Sequence, residues 1–143
     1  MELILLPEQY NLIWRVSWLS LISTIYAIYR KHYELVIVPG GIFITSINYW
    51  RKPDYSWRRY VDMIYVQFAL HYQNIKAYNM EYAKIYYVLI FVSIIWFFIG
   101  IYYYKKNDHW KSTYCHMMLH IIANIGNLIL YCSHYDKNLR LKY

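Results

Sequence analysis

Twenty consecutive residues, Ile85 to Tyr104, carry no charge. No other feature limits the possible folds of this chain so tightly. As a helix the run rises about 1.5 Å per residue, enough to cross the ~30 Å hydrocarbon core of a bilayer. Lys84 precedes it, and Lys105 and Lys106 follow. Tyr86, Tyr87, Tyr102, Tyr103 and Tyr104 stand near its ends, where membrane helices carry aromatic belts. In a chain of 143 residues such a run leaves little length for a soluble domain. The expected fold is all-α: a small polytopic transmembrane bundle of four or five helices, a single integral membrane domain over 1–143.

The other candidate spans are 12–29, 34–50, 60–78 and 114–131. Span 12–29 ends at Arg30-Lys31-His32 and carries a small-residue stripe of Ser17, Ser20, Thr24 and Ala27, the kind of surface that lets helices approach closely. Span 34–50 contains Pro39-Gly40-Gly41, which predicts a kink or a loosened first turn. Segment 60–78 reads two ways. Val61, Ile64, Tyr65, Phe68, Tyr72 and Ile75 form an apolar face, while Asp62, Gln67, His71, Asn74 and Lys76 interrupt the rest. It either spans within the bundle or lies amphipathically in the interface. Orientation depends on this choice. Five spans put seven basic residues at each end, whereas four give nine against five and favour cytoplasmic termini.

Composition sharpens the picture. The chain is 59% hydrophobic and only 16% charged, against about a quarter charged in soluble domains. Its mean hydropathy is nevertheless only +0.14. Twenty tyrosines, scored as polar although their rings are largely apolar, account for the conflict. The net charge of +7 gathers at the edges of apolar runs, where membrane anchors belong. That placement argues for a lipid bilayer, including anionic lipid headgroups, as partner and against nucleic acid. Cys115 and Cys132 would lie roughly 25 Å apart on one helix, too far to pair. The first residues show no basic segment of a cleaved signal peptide. The expected localisation is integral to a membrane, multipass, with the membrane itself unspecified.

The sharpest pattern lies in 114–131. At 100° per residue, His120, Asn124, Asn127 and Tyr131 fall within about 80° of His116, and Met118, Ile122, Ile125 and Ile129 lie opposite. Polar groups in a membrane face the bundle or a wet cavity, so Asn124, Asn127 and Tyr131 are expected to face inward. His116 and His120, at i and i+4, can converge on one metal ion, and Zn²⁺ is the candidate cofactor. The alternative is interhelical hydrogen bonding. A second cluster surrounds the 51–59 loop, where Arg51, Lys52, Trp57, Arg58 and Arg59 suit a loop that grips headgroups. Asp62, four residues after Arg58, invites a local ion pair.

Ser46, Asp62, His116 and His120 stand in an order that resembles, in reduced and degenerate form, the CREST superfamily of membrane hydrolases. That group includes the alkaline ceramidases and the progestin and adiponectin receptors. The resemblance implies His116 and His120 as zinc ligands, with Asp62 and Ser46 as catalytic residues beside a metal-bound water that attacks a lipid amide or ester. The family's pattern has His four residues after the Ser; here that residue is Trp50. Three functions are thus carried forward. The first is a non-enzymatic helix-bundle scaffold or assembly component, within a homo- or hetero-oligomer. The second is a zinc-dependent hydrolase. The third is a small channel or proton path along the polar stripe.

Overall fold

Turn chemistry sets where the helices end. Lys31 and Asn107 adopt φ of 61° and 60°, the left-handed conformation that closes a helix. After Tyr29 the N–H of His32 reaches back to Ala27 O at 2.9 Å, and after Lys105 the N–H of Asp108 reaches Tyr103 O at 3.0 Å. Both are Schellman-type closures, built without glycine. In the computed structural model, which describes residues 3–133, six helical segments result. They are α1 (Pro7–Ser17), α2 (Leu19–Tyr29), α3 (Tyr33–Trp50), α4 (Trp57–Ala77), α5 (Ala83–Lys105) and α6 (His109–Cys132). A single residue, Trp18, separates α1 from α2, so the chain forms five rods that alternate in direction. The basic residues Lys137, Arg140 and Lys142, counted in the orientation argument, lie outside the described residues.

Helix α1 begins earlier than residue 12 because Pro7 suits a first helical position and the Gln9 side chain accepts from Leu6 N at 3.0 Å. Helix α3 runs unbroken with Pro39 inside it, rather than loosening there. Its Gly41 is needed for a different reason. A Cβ at that position would lie 2.0 Å from the Tyr65 ring, and Tyr65 Oη donates to Ile37 O at 2.6 Å. The glycine thus seats α4 against α3.

Helix α6 is the hub. It packs most extensively on α5 and also on α1 and α2, while α3 joins α2 to α4. Close approach of α5 and α6 uses Gly100 and Gly126. A Cβ on Gly100 would come within 3.3 Å of Cys115 Cβ. Helix α4 barely touches α5. Its buried residues are Asp62, Ala69, Gln73 and Ala77, while Ile64, Phe68 and Ile75 are exposed. The helix is inside-out compared with a soluble one: its polar and small face is buried and its apolar face is bare. Helix α2 repeats this, burying Ser20, Ser23 and Ala27 and exposing Ile22, Ile25 and Ile28.

Three stretches are long and apolar enough to cross a membrane: Pro7–Tyr29, Ala83–Lys105 and His109–Cys132. The expected spans 34–50 and 60–78 are not among them. Glu34 and Asn48, with Pro39, Gly40 and Gly41, dilute α3, and Asp62, Gln67, His71, Gln73 and Asn74 dilute α4.

Candidate functional site

The polar residues of α6 meet their partners in two groups. In the C-terminal half, Asn124 Oδ1 accepts from Ser23 Oγ at 2.7 Å, and its amide donates to His120 O at 2.8 Å. Asn127 Oδ1 accepts from Gln73 Nε2 at 2.6 Å, and Tyr131 Oη donates to Gln73 Oε1 at 2.9 Å. All four side chains, Asn124, Asn127, Tyr131 and Gln73, are buried. At the end of α6, Arg30 caps the last carbonyls, donating to Tyr131 O at 3.1 Å and Cys132 O at 2.7 Å. A cation there also complements the helix dipole.

In the N-terminal half, the His116 and His120 rings lie edge to face, centroids 5.0 Å apart. His116 also packs on Trp50, at 4.7 Å. His120 is only 7% exposed, yet its Nε2 is buried without a hydrogen-bond partner. An orphaned buried nitrogen of this kind is costly.

Ser46 and Asp62 meet at the α3–α4 seam. Asp62 Oδ1 accepts from Ser46 Oγ at 2.8 Å and from Thr45 Oγ1 at 2.7 Å. The expected local pair between Arg58 and Asp62 does not form. Arg58 turns instead to Asp54, at 2.7 Å, and to Lys52 O at 2.9 Å. Asp54 is fully buried and also accepts from Ser56 N at 3.0 Å. The hydrogen bonds from Ser56, then Arg58, hold its carboxyl below the ordinary range. Arg58 is therefore occupied in tying the loop together, while Arg51, Lys52, Trp57 and Arg59 stay at the surface, Trp57 at 68% exposure.

The four residues behind the family resemblance thus form two touching pairs, Ser46–Asp62 and His116–His120. Among the described residues no hydrogen bond joins one pair to the other. Among the described residues no three His, Cys, Asp or Glu side chains are grouped to hold a metal ion. A structural zinc needs four ligands, and a catalytic one needs three from the protein. His71, a possible completing ligand, is exposed on α4 with Nδ1 bound to Gln67 O at 2.8 Å. The sequence pattern missed Gln73, whose position on the face of Asp62, Ala69 and Ala77 was the available signal. It also missed Arg30 as a cap for a helix a hundred residues away, for which no local signal exists. The chain matches no protein-family model, no curated protein and no solved structure.

Proposed function

We propose that this chain is a multipass integral membrane protein whose five rods all cross the bilayer, and that its role is non-enzymatic: a helix-bundle scaffold or assembly component. The observation that carries this reading is the inverted distribution of polarity. Asp62, Gln73, Asn124 and Asn127 are buried, while Ile25, Ile64, Phe68, Ile75, Val88 and Phe91 are exposed. A water-soluble protein rarely bares an apolar surface so extensive. In lipid the same faces need no cover, and polar contacts between helices replace hydrophobic burial as the source of specificity. The polar stripe is largely used in such contacts, which favours holding helices together over chemistry.

Glycosylation acceptors placed in 53–56 and in 78–82 test the topology. If α4 crosses, only one of the two sites is modified. Modification of both, or of neither, sinks the five-span reading.

The Ser46–Asp62 hydrogen bond and the Trp50 contact with His116 favour a second reading, a degenerate zinc-dependent hydrolase of a lipid amide or ester. Metal analysis of the purified protein separates the two. Stoichiometric zinc that is lost in His116→Ala would overturn the scaffold reading. Absence of zinc together with unchanged stability of that variant supports it.

A further inference from the structure

At one end of the bundle three segments converge around a cavity of about 350 Å³, lined by Leu3, Ile4, Tyr55, Tyr104, Asn107 and His109. The segment before α1 is tied to the α3–α4 loop, Ile4 N donating to Pro53 O at 3.2 Å, and the α5–α6 turn closes the other side. The volume lies within the usual range for small-ligand sites. The cavity is separate from Ser46–Asp62 and from the His116–His120 pair.

Its walls carry the polar side chains of Tyr55, Asn107 and His109. The His109 ring stands edge-on to Tyr104, centroids 5.0 Å apart, and its Nδ1 is buried without a hydrogen-bond partner. Asn107, the left-handed residue that closes α5, presents its exposed side chain at the same wall.

Among the described residues, cations outnumber unpaired acids at this end. Of the acids at this end, Asp54 is paired with Arg58 and Asp108 with Lys111, each at 2.7 Å, and Glu8 lies in the first turn of α1. Arg59 lies over the Tyr55 ring at 5.0 Å, and Lys106 over Tyr102 at 4.5 Å. Lys105 is exposed beside it. Tyr55 lines the cavity, so Arg59 stands beside it, and Lys105 and Lys106 lie in sequence between the lining residues Tyr104 and Asn107.

We propose that this cavity binds a phosphate group, with His109 and Asn107 as hydrogen-bonding contacts and Arg59, Lys105 and Lys106 as the cationic rim. The phosphate belongs to a lipid headgroup or to a free small molecule. The lipid source rests on the membrane-spanning reading above; the phosphate chemistry does not. The test uses the full chain in phosphatidylcholine nanodiscs, with ³¹P line broadening as readout. Inorganic phosphate is one probe and phosphatidate mixed into the nanodisc is the other. Broadening of phosphatidate alone assigns the site to headgroups, and broadening of both shows that free phosphate suffices. His109→Ala should weaken binding about tenfold or more, the scale of one charge-assisted hydrogen bond. His109→Asn, which retains a side-chain donor, should keep most of it. No broadening of either probe overturns the proposal. So does binding that survives His109→Ala but is lost on Lys105→Gln/Lys106→Gln, since that is surface charge alone. Helical circular dichroism of each variant excludes misfolding, and the glycosylation result reports separately on the membrane-spanning reading.

Discussion

Two halves of one helix face behave differently. From Asn124 to Tyr131 the polar groups of α6 are matched by Ser23 and Gln73. From His116 to His120 the rings pack on each other and on Trp50, and among the described residues Nε2 of His120 has no hydrogen-bond partner. Both halves lie on the same stripe at the same helical phase. Phase therefore says that a polar group faces inward; it does not say whether anything meets it. The C-terminal half acts as a clasp between α2, α4 and α6. In the N-terminal half, Nε2 of His120 is buried and, among the described residues, unbonded, a cost that the C-terminal half avoids.

This contrast can be broken by stability measurements in detergent. The largest effect is expected for Asn127→Leu, which leaves the buried Gln73 amide without its acceptor. Reversible unfolding should show a loss of about 1–3 kcal/mol. Next comes the coupling between Gln73→Leu and Asn127→Leu in a double-mutant cycle, expected at about 0.6–1.7 kcal/mol, the range for hydrogen bonds within membrane bundles. A coupling near zero would mean that the clasp contributes nothing beyond packing. His120→Leu should be smaller still, below about 1 kcal/mol, because its ring nitrogen gives up no bond. Equal losses for His120→Leu and Asn127→Leu would erase the distinction between the halves.

The weakest effect at neutral pH concerns the loop at the His109 end. Asp54 has a depressed pKa, held down by hydrogen bonds from Ser56 and then Arg58. Its contribution to stability is therefore complete above the unfolded carboxylate value of about 3.9 and is lost as pH falls through the lower, folded value. Thermal melts of the native chain should weaken in that acid window. Asp54→Asn should flatten this dependence while lowering the melting temperature at pH 7. An unchanged acid slope in Asp54→Asn would remove Asp54 as its source.

Much of the architecture was legible in advance. The uncharged run 85–104, the stripe on α6 and the all-helical class follow from periodicity, which is local and reads directly off spacing. The helix ends were less legible. Sequence rules look for glycine after a helix, and here Lys31 and Asn107 take the left-handed position. The apolar face of α4 was visible, but its direction was not. Val61, Ile64, Phe68 and Ile75 form that face, and they turn outward, while the polar residues that seemed to interrupt the helix include the side that packs. Arg58 shows the same limit: two acids lie four residues away, Asp54 before it and Asp62 after it, and spacing cannot choose between them. The loop conformation chose Asp54, and Asp62 was left to Ser46 and Thr45 on α3.

Sequence by itself determined that this chain is helical, strongly apolar and provided with one polar stripe, because helix formation and amphipathic phase depend on neighbours within a few residues. Tertiary structure decided which polar groups are bonded, that the Trp50 ring meets His116, and that Leu3, Tyr55 and His109 line one cavity. Those facts depend on residues tens of positions apart, brought together by the up-and-down course of five rods. No spacing rule reaches that far.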